Sequence, residues 1–241
     1  MIRFTTSTAL ALCLAATSVS AEDMTRDQMQ ELVLETIREN PEIIMEALQT
    51  LQNREEQAKA DQAQAMLIAN RDALERDPNA PVMGNPDGDV TVVEFFDYNC
   101  GYCRRVFGDV EALMEEDSNV RVVMREWPIL GEESVYAARA ALASRAQGKY
   151  AEFHNALMEN SGRANEASVM SIAGKLGMDL EQLKRDMDAP EVAAHIQTSM
   201  QLTQALGLNG TPAFIFGDQL VPGAIELEQM KELVAMTRDA G

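Results

Sequence analysis

The stretch from Val93 to Cys103 constrains the fold of this chain more than any other. An apolar, β-like run ends there, and Cys100 and Cys103 follow with two residues between them, where a helical pattern begins. A thiol at a helix N-terminus lies where unpaired backbone N–H groups and the helix dipole favour negative charge. That favours the thiolate, which is the species that attacks disulfides. Because the spacing places the second thiol one turn away, the stretch predicts thiol–disulfide chemistry at Cys100 and Cys103.

Two other roles are compatible with this cysteine spacing. A closed zinc site uses the same spacing but needs a full set of ligands, and the remaining candidates are the distant His154 and His195. A purely structural disulfide would close a very short loop, which constrains the unfolded chain little. The strand–helix context favours a redox-active pair, and both alternatives remain open at this point.

Residues 1–21 have the pattern of a secretory signal peptide. Arg3 supplies a positive start, residues 9–16 are apolar, and small residues precede a cleavage site after Ala21. The apolar run is too short to cross a bilayer, and we expect Cys13 to be removed with the leader. Export places the mature chain in an oxidising compartment, so we expect localisation in the bacterial periplasm.

Composition excludes some classes of partner. The formal net charge of −19 argues against nucleic acids and anionic lipid surfaces. The length allows one large domain with an appendage. A single cysteine pair in the mature chain is not a disulfide scaffold.

Residues 22–77 are predicted to form a helical extension. Apolar residues recur at helical spacing from Met29 to Leu51 with an interruption at Pro41, and no Gly or Pro breaks the second helix before about Asp77. A segment this far from the catalytic domain has little core of its own to bury against, so we expect an oligomerisation stalk. The alternative is a solvated spacer lying against its own domain. The repeats are too few to distinguish a dimer from a trimer.

The rest of the chain predicts one α/β domain. Residues 78–89 form a linker and turn, and residues 90–241 form the domain itself. Strand, helix and strand from Val90 to Trp127 predict a βαβ unit with a parallel pair. Helical patterns fill residues 132–207, and two strands and a final helix follow. This order resembles a thioredoxin fold with an inserted all-helical domain.

Two motifs carry a closer resemblance. They are Cys100-Gly101-Tyr102-Cys103 after the first long strand and Gly210-Thr211-Pro212 before the third. Over about residues 82–241 the chain resembles the DsbA-like branch of the thioredoxin superfamily. Its helical extension is similar to that of Com1-like and ScsC-like proteins (suppressor of copper sensitivity, protein C), in which the extension oligomerises.

The resemblance implies roles for the residues of these motifs. Cys100 is expected to be the nucleophile, Cys103 the resolving thiol, and Pro212 the cis-proline beside them, with Thr211 preceding it. X–Pro is the bond at which a cis peptide costs little. We expect the cis bond to turn the backbone groups of Thr211 outward, ready to pair with an extended substrate. An ordinary trans turn is the alternative.

Glu94 is a further candidate for the site. It interrupts the apolar run from Val92 to Phe96 and precedes Cys100 by six residues. A similarly placed acid in the family passes protons to and from the buried thiol, and burial would raise its pKa towards a useful range. The alternative is a side chain that faces solvent on one side of the strand.

The two residues between the cysteines bear on whether the protein forms, reduces or isomerises substrate disulfides. Gly101 and Tyr102 lack the histidine of the strongly oxidising members, so we expect a less stabilised thiolate and a weaker oxidant. Gly-Tyr, together with threonine before the proline, is similar to the active site of the periplasmic disulfide isomerases. The sequence therefore favours isomerase or reductase activity on unfolded or misfolded exported proteins. Tyr98, Tyr102 and Phe107 are expected to contact apolar segments of the substrate.

The expected redox group is the Cys100–Cys103 disulfide, with no other cofactor and no metal. Expected partners are exported proteins, an unidentified membrane redox partner and further copies of the chain through the N-terminal helices, but no nucleic acid. One alternative function is a dedicated disulfide oxidase. A second is copper handling, since two thiolates suit Cu(I). A third is a binding protein or chaperone that acts through the stalk.

Overall fold

The computed structural model describes residues 24–240, so the predicted signal peptide lies outside the described residues. In the described part, the helices are α1 (Arg26–Glu39), α2 (Glu42–Ala69), α3 (Arg71–Glu75), α4 (Gly101–Glu116), α5 (Glu132–Ala143), α6 (Tyr150–Glu159), α7 (Glu166–Lys175), α8 (Leu180–Asp186), α9 (Pro190–Ala205) and α10 (Leu227–Ala240). The strands are β1 (Val82–Gly84), β2 (Val90–Phe96), β3 (Val120–Glu126), β4 (Ala213–Phe216) and β5 (Gln219–Pro222). A 3₁₀ turn, Ser144–Gln147, follows α5.

The strands form one five-stranded sheet in the order β1-β3-β2-β4-β5. β2 and β3 pair in parallel, as the βαβ pattern predicted, and β4 and β5 add antiparallel strands. β1 pairs antiparallel with β3, although its residues were predicted to be linker and turn. Three residues are too few to show a period-2 pattern, and the pairing with β3 makes them a strand.

Alternate residues of β2 enter two separate cores. Val92 and Phe96 pack with α4, α10 and the helices between β3 and β4. Val93 and Phe95 face a second core, which includes Trp127 and part of α9. β2 therefore has few solvent-facing positions, and α4 begins directly beyond its carboxyl end. Helices α5 to α9 fill the predicted insertion, and the predicted α/β class is confirmed.

The segment 24–55 contains α1 and the beginning of α2. Thr25 and Gln28 form a capping box at the start of α1, and no residue of α1 is buried. The large apolar side chains on this segment are about half exposed, as at Leu32 (51 %) and Leu48 (49 %). Segment 24–55 itself therefore provides no core that covers the apolar stripe of the predicted stalk.

The second helix ends earlier than predicted. α2 stops at Ala69 and the short α3 follows, so a continuous helix to about Asp77 is wrong. Leu67 and Leu74 are buried in the second core, and the Arg125 guanidinium lies 2.7 Å from the Asp77 carboxylate. These tertiary contacts outweigh the helix propensity of the segment. The end of the predicted extension is therefore part of the α/β unit, which comprises residues 56–240 of the described chain.

No helix of residues 24–240 has the length and apolar character required to span a membrane.

Candidate active site

Cys100 is the N-cap of α4, and its sulfur lies at the helix N-terminus. The pKa of its thiol is lowered to about 5, chiefly because the thiol of Cys103 donates a hydrogen bond to the sulfur. Burial opposes this shift, while Thr211 and the backbone N–H groups of Cys103 and Tyr102 add to it. Cys100 is therefore a thiolate at neutral pH, the form that attacks disulfides.

Cys103 lies one turn further along α4 and is fully buried. Burial raises the pKa of its thiol far above the ordinary value, and the hydrogen bond to Cys100 and the nearby charge of Glu94 act in the same direction. Cys103 thus remains a protonated donor to Cys100 until Cys100 has reacted. The two thiols are chemically unequal, as a nucleophile and a resolving thiol should be.

Glu94 lies in the middle of β2 and is 2 % exposed. Its side chain is on the face of the sheet that carries Val92 and Phe96, the face on which α4 packs. Burial raises the pKa of its carboxyl group to about 8. The predicted burial is confirmed, whereas the predicted role in proton transfer stays a prediction. Cys103 belongs to the hydrophobic core on this same face of the sheet.

Thr211 and Pro212 lie across the dithiol from α4. The bond between them is cis, as predicted. The sulfur of Cys100 lies 3.3 Å from the carbonyl oxygen of Thr211, which accepts a hydrogen bond from Cys100 only when the thiol is protonated. That oxygen therefore points to the sulfur, whereas the sequence predicted that it would face outward to a substrate. The structure brings Cys100, Cys103, Thr211 and Pro212 together. Glu94 lies on β2, on the face of the sheet whose core contains Cys103.

A groove of about 690 Å³ begins beside the dithiol. Its lining includes Tyr102 and Arg105 of α4, Leu208 and the Thr211–Pro212 pair. Tyr102 is 57 % exposed, and the guanidinium of Arg105 lies 4.9 Å from the centre of its ring. The groove thus adjoins both the cis-proline and an exposed aromatic ring.

Two of the aromatic residues predicted to contact substrate are buried instead. The hydroxyl of Tyr98 lies 3.0 Å from Nδ1 of His154 in the protein interior. The ring of Phe107 packs against His154 as well. Both side chains are buried because they pack against α6, so the prediction was wrong for Tyr98 and Phe107. Tyr102 alone of the three is exposed.

A buried polar cluster behind the site was missed from the sequence. Tyr150 donates a hydrogen bond of 2.6 Å to Glu126, whose other oxygen lies 2.7 Å from Nε2 of His195. His154 stacks on Tyr150, and burial lowers its pKa to about 4, so it is neutral at physiological pH. The members come from α6, α9 and the end of β3, and no local spacing connects them.

A pair of unequal thiols beside a cis-proline, in a sheet of this topology, is the arrangement expected of a thiol–disulfide oxidoreductase. Comparison with known proteins agrees with this class. The family model of the DsbA-like thioredoxin domain matches residues 91–235. The model of the N-terminal domain of copper resistance protein ScsC matches residues 26–58.

Solved structures give the same result. A thioredoxin-like oxidoreductase from Silicibacter pomeroyi is 62 % identical, with a TM-score of 0.70 over 71 % of this chain and 99 % of that one. A deletion variant of Proteus mirabilis ScsC is 27 % identical, with a TM-score of 0.71 over 92 % of this chain and 100 % of that one. The chain belongs to the DsbA-like thioredoxin family, and its N-terminal segment is of the ScsC type.

Curated relatives include much longer proteins. A Na⁺/H⁺ antiporter NhaA 1 from Salinispora arenicola is 28 % identical over 155 residues, or 64 % of this chain. The match covers 24 % of that antiporter, so the chain spans about a quarter of its length.

Proposed function

We propose that this protein is a periplasmic disulfide isomerase and reductase that acts on unfolded or misfolded exported proteins. The observation that carries the proposal is the inequality of the two thiols, with Cys100 activated at the start of α4 and Cys103 buried and protonated behind it. An isomerase needs a nucleophile that attacks readily and a second thiol that resolves only complexes that fail to rearrange.

The reaction begins when the Cys100 thiolate attacks a substrate disulfide. A mixed disulfide forms between Cys100 and one substrate sulfur, and the other substrate sulfur leaves as a thiolate. In isomerisation, a different substrate thiolate attacks the mixed disulfide and releases Cys100 as the thiolate, with no net oxidation.

In reduction, Cys103 loses its proton and attacks the sulfur of Cys100. The Cys100–Cys103 disulfide forms and the substrate leaves as a dithiol, so the protein is oxidised by two electrons and the substrate is reduced by two. Glu94 is the proposed acceptor of the Cys103 proton, because its raised pKa of about 8 lies near the working pH. The Cys100–Cys103 pair is the redox group in this proposal. A membrane redox partner would return it to the dithiol form.

The direction of exchange follows from the stability of the thiolate. A pKa of about 5 for Cys100 falls between about 3.5 in a strongly oxidising protein of this family and about 7 in a reducing thioredoxin. Gly101 and Tyr102 bring no imidazole to the sulfur, and the nearby His154 is buried and neutral. These features favour isomerisation and reduction over dedicated oxidation.

Self-association is part of the proposal. The apolar stripe of segment 24–55 is exposed along α1 and the start of α2, and burial against copies of itself would remove that surface from water. An oligomer brings several dithiols to one misfolded substrate. The leader-like residues 1–21 support the proposed periplasmic location.

Insulin reduction and refolding of scrambled ribonuclease test the function in the full mature chain. The variant Leu32→Glu with Leu48→Glu places charges on the apolar stripe and is expected to dissociate the oligomer, keep reductase activity and lose isomerase activity. The matched control, Gln30→Glu with Gln52→Glu, adds the same charges at exposed polar positions of the same helices. Equal isomerase activity in a dissociated variant would remove the stalk from the mechanism.

The variant Cys103→Ala tests the chemistry. Without its resolving thiol, the protein is expected to accumulate mixed disulfides with exported proteins through Cys100. Absence of such complexes in Cys103→Ala, under conditions where the wild type reduces insulin, would contradict the proposed order of steps.

Copper handling is a second candidate function, favoured by the match of residues 26–58 to a domain described as part of a copper resistance protein. Two thiolates are suitable ligands for Cu(I). Titration of the reduced protein with Cu(I) is expected to give stoichiometric binding that the variant Cys100→Ser loses. Weak binding that is unchanged in Cys100→Ser would remove this candidate.

A further inference from the structure

Asp97 lies between β2 and the dithiol, and its buried carboxylate accepts three backbone hydrogen bonds. The N–H of Asn99 donates to Oδ1 at 2.7 Å. The N–H groups of Ile129 and Leu130 donate to Oδ2 at 2.9 and 3.0 Å. The side chain is 2 % exposed, so the carboxylate has replaced most of its water with these donors.

The same residue forms the turn that carries the nucleophile. The backbone carbonyl of Asp97 accepts the N–H of Cys100 at 3.0 Å, which closes the turn into α4. The bond from Asn99 to the side chain adds an Asx turn over the same residues. Asp97 therefore bonds to both sides of the turn and, through Oδ2, to the loop that precedes α5.

A neighbouring side chain reinforces the connection. Arg104, the residue after the resolving cysteine, donates from Nε to the carbonyl of Tyr98 and from Nη1 to the carbonyl of Gly162. The active-site turn is thus tied to two loops of the inserted helical domain, one before α5 and one after α6. Both Asp97 and Arg104 are hydrogen-bonded to the backbone of Cys100: the carbonyl of Asp97 accepts its N–H, and the N–H of Arg104 donates to its carbonyl.

Hydrogen bonds to a thiolate depend on direction as well as distance. The donors to Cys100 are the thiol of Cys103 and the N–H groups at the start of α4. They remain aligned only while the turn from Asp97 to Cys100 is held in place. A side chain that fixes this turn consequently acts on the reactivity of the sulfur without touching it.

We propose that Asp97 is a positioning residue of the dithiol, whose carboxylate holds Cys100 in line with the donors at the start of α4 by tying the active-site turn to the loop at Ile129 and Leu130. This inference rests on the proposed function, because it concerns the reactivity of the same dithiol. The inserted domain then contributes to the reactivity of Cys100, because the loop before α5 supplies two of the three donors that fix Asp97.

The sign of the effect separates positioning from simple electrostatics. Removing a negative charge near Cys100 would, by itself, stabilise the thiolate and lower its pKa. Loss of alignment has the opposite result, because the thiolate loses its donors and its pKa rises. A purely structural role would lower the stability of the fold and leave the pKa of Cys100 unchanged.

The test uses Asp97→Asn in the full mature protein, with Asp117→Asn as the matched control. Asp117 accepts the N–H of Asn119 in a similar Asx turn at the other end of α4, away from the dithiol. Two quantities are measured: the equilibrium of the Cys100–Cys103 pair with reduced and oxidised glutathione, and the pKa of Cys100 from the ultraviolet absorbance of the thiolate.

Asp97→Asn is expected to raise the pKa of Cys100 and to disfavour the dithiol form about tenfold, which equals about 30 mV for a two-electron couple. Asp117→Asn is expected to match the wild type in both measurements. No shift in Asp97→Asn, or a shift of opposite sign, would overturn the inference. A wild-type protein that fails to equilibrate with glutathione would overturn the proposed function instead.

A second variant removes one backbone donor to Asp97 and keeps the negative charge of the Asp97 carboxylate. Leu130→Pro lacks the N–H that bonds to Asp97, and Leu130→Ala controls for the loss of the side chain. Leu130→Pro is expected to shift both measurements in the same direction as Asp97→Asn, by a smaller amount. If Asp97→Asn does not fold, the comparison of Leu130→Pro with Leu130→Ala tests the inference. The same Cys100 pKa and the same glutathione equilibrium in these two variants would overturn it.

Discussion

Two glutamates on neighbouring strands are buried on the same face of the sheet but have different surroundings. Glu94 lies on β2 and Glu126 on β3, where Glu126 is in register with Phe96. Glu126 accepts a hydrogen bond from Tyr150 and contacts His195. Glu94 has neither kind of partner among the described residues, and burial alone accounts for its raised pKa.

The difference between the two acids shows that a buried carboxyl group without a hydrogen-bond partner can indicate function. A buried acid that accepts a hydrogen bond from another buried group stabilises the fold, because its removal leaves that group unpaired. A buried acid without partners destabilises the fold. Burial also raises its pKa to near neutrality, where proton transfer is efficient. Glu94 is buried on the face of the sheet whose core contains Cys103, the thiol that must lose a proton. This contrast supports the proposed proton-transfer role of Glu94 and points to a structural role for Glu126.

The largest expected effect is on the kinetics of Glu94→Gln. The step in which Cys103 displaces the substrate is expected to slow about hundredfold, because glutamine cannot accept the proton of Cys103. The attack by Cys100 is expected to keep its rate. Rapid mixing with a disulfide-bonded peptide measures the formation and decay of the mixed disulfide separately.

Glu126→Gln is the matched control for this kinetic measurement. It makes the same chemical change on the neighbouring strand and is expected to leave the decay of the mixed disulfide unchanged. Equal decay rates in Glu94→Gln and the wild type would exclude Glu94 from proton transfer.

The next largest effect is on the free energy of unfolding. Here the larger change is expected in Glu126→Gln and not in Glu94→Gln. Glu126→Gln is expected to lower the free energy of unfolding by about 2 kcal/mol, since it disturbs a buried hydrogen-bonded group. Glu94→Gln is expected to leave stability equal or higher at pH 7, because it removes a buried carboxyl group that has no partner and must take up a proton on folding. Denaturant unfolding of the oxidised proteins measures both. A greater loss of unfolding free energy in Glu94→Gln than in Glu126→Gln would contradict the distinction between the two acids.

The smallest effect is the dependence of stability on pH. The pKa of Glu94 rises from 4.5 to about 8 on folding, so the folded protein holds a proton in this range that the unfolded chain has released. The free energy of unfolding therefore falls as pH rises through the window and levels off above about pH 8. His154 acts in the opposite sense below pH 6.5, because its pKa is lowered to about 4 in the folded protein.

The contribution of Glu94 is accordingly clearest between pH 6.5 and about 8. In the oxidised protein, where Cys100 does not titrate, stability is expected to fall by about 1.4 kcal/mol per pH unit there. Glu94→Gln is expected to lose this slope. Parallel curves for the variant and the wild type would show that Glu94 has an ordinary pKa.

The sequence could predict Glu94 because the residue interrupts an apolar run on a central strand. It could not predict Glu126, since the alternation of apolar and charged residues along β3 is typical of a strand with one exposed face. In the structure, Arg125 and Glu126 are both buried. Their partners are Asp77 before β1, Tyr150 on α6 and His195 on α9, and contacts so distant in the chain leave no local pattern.

Local patterns were sufficient for β2, α4 and the position of the dithiol, because strand period, helix start and cysteine spacing agree there. They failed at Ala69, where α2 ends although no helix-breaking residue follows. Packing of Leu67 and Leu74 in the second core determines that end. Asp97 was also missed, although an aspartate three residues before an N-cap cysteine is typical of a turn with a side-chain acceptor.

Alkylation of the reduced protein with iodoacetamide across a range of pH values, read at each cysteine by mass spectrometry, tests most directly whether the two thiols are unequal. The account predicts that Cys100 reacts with a midpoint near pH 5, whereas Cys103 remains protected in the folded protein throughout. Reaction of both thiols together, with the midpoint of an ordinary cysteine near pH 9, would contradict it.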